Sequence, residues 1–307
     1  MNVTIERIIK SLSFYIHGKE KALRLALLTF FSKGHLLIED LPGLGKTTLA
    51  IAIAKCLGLS FGRIQCTSDL LPTDITGVSV YEKNLGSFTF HPGPIFNNIV
   101  LCDEINRAPP KTQSALLEAM EERQVTVDGK THRLPRLFCV IATQNPIEQF
   151  GTFPLPDSQL DRFTVRLSIG YPDERSEKEI LRVGGKREEL LSIEPTISED
   201  EVYAIQEEIE KGIYVSEKIL EYVLRIVKAT RNHEFIKVGL STRGALTIVQ
   251  TAKANAFFHG RDFVIPEDIC ELAEYVIPHR LIFKERYEGI NRKEFIKSLL
   301  AEIPLPL

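Results

Sequence analysis

Residues 36–48 read Leu36-Leu37-Ile38-Glu39-Asp40-Leu41-Pro42-Gly43-Leu44-Gly45-Lys46-Thr47-Thr48. The apolar start predicts a strand, and the residues from Thr47 to Leu57 repeat apolar side chains at helical spacing. A strand, a glycine-rich turn and a helix in this order predict a phosphate-binding loop, because turn amides and a helix N-terminus favour an anion. We expect Lys46 to reach the phosphates and the Thr47 hydroxyl to bind Mg²⁺.

One residue departs from the generic form of this loop. The pattern G-x-x-x-x-G-K-[ST] places glycine at position 40, where this chain has Asp40. Aspartate tolerates left-handed backbone better than most residues, so the departure does not exclude the turn.

Two further apolar runs end in polar side chains. Residues 99–102 are followed by Asp103 and Glu104, and residues 138–143 lead to Asn145. At a strand end, Asp103 is placed to hold Mg²⁺, and Glu104 can orient an attacking water. Asn145 is a candidate for a hydrogen bond to phosphate or water, although an Asn-Pro turn is an equally good explanation.

These runs belong to an alternation of short apolar segments and helical patterns in residues 1–170, which predicts an α/β fold with a parallel sheet. Two helices are expected before the first strand. The predicted strands are His35–Glu39, Gly62–Gln65, Ile99–Cys102, Phe138–Thr143 and Thr164–Ile169, and the predicted helices between them are Thr47–Leu57 and Lys111–Arg123.

Two predicted β-hairpins, in residues 77–90 and 124–133, interrupt the alternation; the second carries an Asp-Gly turn. Because insertions need not pack in the sheet, we expect them to carry function.

The pattern changes after Tyr171-Pro172-Asp173, beyond which we find helical periodicity only. The helices are predicted at 202–213, 217–230, 243–259 and 266–276. Ser198 with Glu201 forms a capping-box signal before the first of them. We therefore expect two domains, an α/β domain over residues 1–171 and a helical domain over 172–307.

Composition narrows the class of partner and the compartment. Lys+Arg 38 against Asp+Glu 41 gives a net charge of −3, so there is no global cationic field for nucleic acid or anionic lipid. No stretch approaches the roughly 20 apolar residues of a spanning helix, and we expect no membrane insertion. The 5 cysteines are scattered without a CxxC pair, which favours reduced thiols in the cytoplasm.

The chain resembles the MoxR family of AAA+ ATPases. The resemblance rests on the phosphate loop, on residues 93–122 with Asp103-Glu104-Ile105-Asn106-Arg107-Ala108-Pro109 at their centre, and on residues 142–146; it spans roughly residues 10–285. Glu39-Asp40 before the loop also fits the family. The resemblance implies a P-loop AAA+ sandwich with an all-helical C-terminal lid domain, ATP and Mg²⁺ as ligands, and hairpins that line the pore of a ring.

The resemblance also implies roles for further residues. Asn145 matches the first sensor, and Arg162 matches an arginine finger that reaches a neighbouring subunit's γ-phosphate. Arg243 matches the second sensor, which touches phosphate as the lid closes. Ile16-His17-Gly18 matches the adenine-contacting segment, although a packing role for His17 is nearly as good. The finger implies a homo-oligomer, expected to be a hexamer.

Several functions remain open at this point. The resemblance favours Mg²⁺-dependent ATP hydrolysis coupled to chaperone-like maturation of a protein partner, with a von Willebrand factor A domain protein as the expected partner. The alternatives are a nucleic-acid motor or loader of the helix-2-insert branch, for which Lys130, His132 and Arg133 could touch phosphate, and a magnesium-chelatase-like ATPase subunit. A scaffold that binds ATP without hydrolysis would not need Glu104.

Overall fold

The computed structural model describes residues 2–147, 151–183, 190 and 192–306. The helices are α1 (Val3–Ser13), α2 (Glu20–Phe31), α3 (Lys46–Cys56), α4 (Pro72–Thr76), α5 (Pro110–Glu122), α6 (Asp157–Leu160), α7 (Glu174–Val183), α8 (Glu199–Glu207), α9 (Glu217–Asn232), α10 (Thr242–Phe258), α11 (Pro266–Val276) and α12 (Arg292–Ala301). The strands are β1 (Leu36–Glu39), β2 (Phe61–Gln65), β3 (Gly77–Glu82), β4 (Ser87–Pro92), β5 (Ile99–Asp103), β6 (Gln124–Val127), β7 (Lys130–Arg133), β8 (Cys139–Gln144), β9 (Val165–Leu167), β10 (Ile236–Val238) and β11 (Ile282–Phe283).

A five-stranded sheet forms the centre, in the order β2-β5-β8-β1-β9. Each neighbouring pair is parallel, which confirms the predicted α/β class. Leu36 and Ile38 of β1 pack in one hydrophobic cluster and Leu37 in another, because successive side chains of a strand point to opposite faces. The sheet is therefore covered on both sides. Its polar strand ends meet at the carboxyl edge, where ligands of open α/β sheets bind.

Both predicted hairpins are present as antiparallel pairs outside this sheet, β3 with β4 and β6 with β7. Phe90 of β4 stacks on His132 of β7, with 4.0 Å between ring centroids. The two hairpins are thus joined to each other through an aromatic contact.

The region after β9 is mostly helical, as predicted, and Ser198 and Glu201 form the expected capping box. The expectation of helical structure only was incomplete, because β10 and β11 pair as a short antiparallel ribbon. These strands have 3 and 2 residues, too few to show a period of two in the sequence. Among the described residues, no helix is long and apolar enough to cross a bilayer.

Candidate nucleotide-binding site

The glycine-rich turn joins the end of β1 to the start of α3. Gly43 and Gly45 both have φ of +83°, a backbone region that other residues rarely adopt, and a Cβ at either position would meet nothing within 4 Å. Gly45 is the N-cap of α3 and provides no side-chain cap. The first amides of α3 are consequently free to bind an anion in the open space beside the turn.

Lys46 begins α3 next to this space. Its Nζ donates a hydrogen bond to the Asp40 carbonyl oxygen at 2.7 Å. Burial lowers the pKa of Lys46, while the nearby carboxylates of Asp40, Asp103 and Glu104 act in the opposite direction. The lysine of the loop and the acidic end of β5 therefore lie at the same edge of the sheet, with β8 between their strands.

Asp40, the departure from the generic loop, has a structural role in this chain. It is not among the described residues with positive φ, so the turn forms without a left-handed backbone at this position. Its carboxylate, in a residue only 8% exposed, accepts hydrogen bonds from the Ser168 hydroxyl at 3.1 Å, the Gly170 amide at 2.9 Å and the Ile169 amide. Asp40 thus fixes the phosphate loop to the chain that follows β9.

The chain after β9 is also held from its carbonyl side. Lys19 Nζ donates to the carbonyl oxygens of Ile169 at 3.1 Å, Gly170 at 2.8 Å and Tyr171 at 2.5 Å. The segment 168–171 is therefore clasped between a carboxylate and an ammonium group, at the predicted boundary between the two domains.

The two acids at the end of β5 differ in burial, backbone conformation and partners. Asp103 is 7% exposed, and Glu104 has φ of +56°, which is uncommon for a residue with a Cβ. Thr143 of β8 fixes both: its hydroxyl donates to Asp103 Oδ1 at 3.2 Å and accepts the Glu104 amide at 2.9 Å. This divergence suits two separate tasks, metal binding by Asp103 and water activation by Glu104.

Arginine side chains that sequence analysis missed pair with both acids. Arg63 Nε lies 2.9 Å from Asp103 Oδ2, and Arg107 Nη1 lies 3.0 Å from Glu104 Oε2. The sequence offers one sign for Arg63: it is the single basic residue of the predicted strand Gly62–Gln65, which is the neighbour of the strand that ends at the two acids.

A pocket of about 480 Å³ lies against the phosphate loop. Its volume falls within the range of roughly 300–1,000 Å³ typical of small-molecule sites. Predicted residues that line it are Ile16, His17, Gly43, Leu44, Gly45, Thr47 and Thr48, and the opposite side comes from Ile169, Pro172, Ile180 and Leu190. The other predicted residues Gly18, Pro42, Lys46, Asp103, Glu104 and Asn145 do not line it. Gly18 instead allows close approach to α7, since a Cβ there would lie 2.4 Å from Ser176 Oγ.

Asn145 directly follows β8 at the same edge of the sheet, half-buried, and its Oδ1 accepts the Ile147 amide at 3.1 Å. Its position agrees with a sensor beside the phosphates, and its role stays a prediction.

The two predicted arginines lie together, but they do not line the pocket. Arg162 Nη1 donates to the Leu117 carbonyl oxygen at 2.5 Å, and its Nη2 lies 3.2 Å from Glu121 Oε2. Arg243, in the first turn of α10, pairs with the other oxygen of Glu121. Arg162 Nε is buried and has no hydrogen-bond partner among the described residues. Glu121, at the end of α5, was not predicted from the sequence.

Two protein-family models match the chain. The model of the ATPase family associated with various cellular activities (AAA) matches residues 35–165, and the model of the AAA lid domain matches residues 228–299. Both halves of the predicted architecture are therefore recognised.

Similar proteins cover nearly the whole chain. YeaC of Bacillus subtilis (strain 168) is 44% identical over 94% of this chain and 91% of its own length. Chaperone MoxR1 of Mycobacterium tuberculosis is 38% identical over 99% of this chain and 82% of its own. A crystal structure from Cytophaga hutchinsonii superposes with a TM-score of 0.91 at 38% identity, covering 98% of this chain and 94% of that one.

Proposed function

Because this chain belongs to the MoxR family of AAA+ ATPases, we propose that it hydrolyses ATP with Mg²⁺ in a ring of identical subunits and uses the energy to remodel a protein partner. The observation that carries the proposal is an open glycine loop and Lys46 after β1, at the same edge of the parallel sheet as Asp103 and Glu104 at the end of β5. In this proposal residues 1–171 are the AAA+ core and residues 172–307 are the lid.

The triphosphate would lie against the first amides of α3, with Lys46 on its distal phosphates and the adenine near Ile16 and His17. The Thr47 hydroxyl and the Asp103 carboxylate are the hard oxygen ligands that Mg²⁺ prefers, so these residues fit the ion. Bound Mg²⁺ would neutralise charge on the phosphate oxygens.

Glu104 would accept a hydrogen bond from the attacking water, held in direction by its left-handed backbone and by the Thr143 hydroxyl. Asn145 would bind the γ-phosphate or the same water. Arg107 has to release Glu104 before the carboxylate is free to act.

Arg162 would serve a neighbouring subunit, and Arg243 would touch phosphate as the lid closes. Both lie on Glu121 rather than in the pocket of their own chain, and Arg162 Nε is unsatisfied there. A guanidinium can fork onto phosphate oxygens, and one supplied by another chain is worth about 10³–10⁵ in rate. Contacts of this head-to-tail kind close into rings, for which we propose a hexamer.

Complementation between two inactive variants tests the proposal. Lys46→Ala removes the site of its own subunit, and Arg162→Ala removes what that subunit gives its neighbour, so each variant alone should be inactive. In a random 1:1 mixture, about one interface in four joins an intact site to an intact finger, and ATPase activity should return. A mixture as inactive as its parts would contradict the trans role.

A protein partner is favoured by the surface of the hairpins. Leu85 and Phe88 of the β3–β4 hairpin are 65% and 70% exposed, and Tyr81 packs edge-on against Phe88. Exposed apolar groups of this kind suit an unfolded or partly folded polypeptide better than a phosphate backbone. The resemblance adds a von Willebrand factor A domain protein as the expected partner. We propose a cytoplasmic location, since 4 of the 5 free cysteines are buried.

A further inference from the structure

Arg280 belongs to the lid by sequence and contacts the core on both sides of Arg162. It is 7% exposed and lies in the turn Pro278–Arg280 after α11. Its Nε forms an ion pair with Asp161 Oδ1 at 3.0 Å that lacks the geometry of a hydrogen bond, and its Nη2 donates to the Phe163 carbonyl oxygen at 2.6 Å. The chain neighbours of Arg162 are therefore fixed by one buried guanidinium.

Two other lid residues join this contact. His279 Nε2 lies 2.8 Å from the Phe163 carbonyl oxygen, and the Ser241 hydroxyl donates to Asp161 Oδ2 at 3.0 Å. Ser241 is also the N-cap of α10, the helix that carries Arg243. The lid thus holds Asp161 and Phe163 while it presents Arg243 to the same Glu121.

The ion pair is unusual for its burial. Desolvation lowers the pKa of Arg280 to about 10, and the Asp161 carboxylate opposes this effect. A buried guanidinium is tolerated only when it is paired and hydrogen-bonded, so the position of Asp161 is tightly linked to the position of the lid.

The lid also forms part of the nucleotide pocket of its own chain, because Pro172, Ile180 and Leu190 line that pocket. We propose that Arg280 is a positioning residue that sets Arg162 through Asp161, so that the lid conformation of one subunit controls the finger offered to the next. This inference rests on the proposed trans role of Arg162. In this inference the lid couples the nucleotide sites of neighbouring subunits in the proposed ring.

The test uses the mixture of Lys46→Ala and Arg162→Ala chains described above. Arg280→Lys is added to one of the two chains at a time. On the Lys46→Ala chain, which supplies the working finger, the substitution should lower the recovered ATPase rate by about 10²-fold, since small misplacement of a catalytic group has that cost. On the Arg162→Ala chain, whose finger is absent, it should leave the recovered rate unchanged. Equal losses on both chains would assign Arg280 to the stability of its own subunit and overturn the inference.

Two further variants keep the test decisive. Asp161→Asn removes the charge of the partner at nearly constant shape and should show the same dependence on chain. Arg261→Lys is the matched control, because Arg261 forks onto the buried Asp268 within the lid at 2.8 and 2.6 Å. Its effect should be equal on both chains. A mixture that is inactive without any Arg280 substitution would instead refute the proposed ring function.

Discussion

Lys46, Asp103, Glu104 and Asn145 lie at the carboxyl ends of neighbouring strands of one sheet, whereas the pair Arg162 and Arg243 is held by Glu121 of α5 and by the lid. Lys46, Asp103 and Glu104 need only the core to come together. Arg162 and Arg243 depend on contacts between parts of the chain that are far apart in sequence. The difference indicates that one half of the proposed catalytic machinery depends on the topology of the sheet and the other half on the arrangement of the domains.

The largest expected effect comes from a substitution at the strand ends alone. Glu104→Gln keeps the shape and loses the base, so ATP turnover should fall by about 10²–10⁴-fold while ATP binding persists. Phosphate release and binding of a fluorescent ATP analogue measure the two effects. Glu221→Gln, at an exposed position of α9, is the control. Unchanged turnover would remove Glu104 from its assigned role.

A second substitution tests the hydrogen bonds that connect the phosphate loop to the start of the helical region. Asp40→Gly restores the generic loop residue but leaves the Ile169 and Gly170 amides without their acceptor. We expect the free energy of unfolding to fall by about 1.5–3 kcal/mol, the range for hydrogen bonds to charged groups. Urea denaturation measures it. Asp40→Asn keeps an acceptor oxygen and should lose less; an equal or greater loss would contradict the role of the carboxylate.

The smallest expected effect is a dependence of the folding stability on pH, and it comes from the buried His35. His35 Nδ1 accepts the Val140 amide at 3.0 Å, and its Nε2 lies 3.2 Å from the carbonyl oxygen of Met120, next to Glu121. Burial, followed by the charge of Arg123, holds the pKa of His35 well below 6.5. As pH falls below about 6.5, the unfolded chain binds a proton that folded His35 does not, and stability declines by up to about 1.4 kcal/mol per pH unit.

The variant for this prediction is His35→Asn, which removes the titrating group. It should be less stable than the parent at pH 8, and the difference between the two should shrink by pH 5. Urea midpoints at both pH values measure the change, and buried His279 is present in both proteins. A difference that stays constant with pH would contradict the assignment.

The core could be predicted because its signals are local. The loop of residues 42–48 and the acids after β5 each follow an apolar strand, and parallel strands bring their carboxyl ends to one edge. Asp40 was interpreted through its own backbone, whereas its function lies in a carboxylate that meets residues 168–170. A single sequence gives no sign of that contact.

The surroundings of Arg162 and Arg243 show more clearly what the sequence could not predict. The resemblance pointed to Arg162 and Arg243 separately, but their common partner Glu121 is one of several exposed acids on α5. Arg280 carries no motif at all, and only its burial against Asp161 distinguishes it. Long-range ion pairs have no period in the sequence, so they appear only when the domains are in place.

The clasp on residues 168–171 has a consequence for assembly. β9 is an edge strand of the sheet with 3 residues, and an edge with free amides and carbonyls invites pairing with another chain. Beyond Leu167, Asp40 occupies the amides of Ile169 and Gly170, and Lys19 occupies their carbonyls. The clasp therefore prevents the exposed edge from continuing beyond Leu167, so that a strand from a second copy would find only the 3 residues of β9. In the proposed ring, this clasp would limit strand pairing between neighbouring subunits at this side of the sheet.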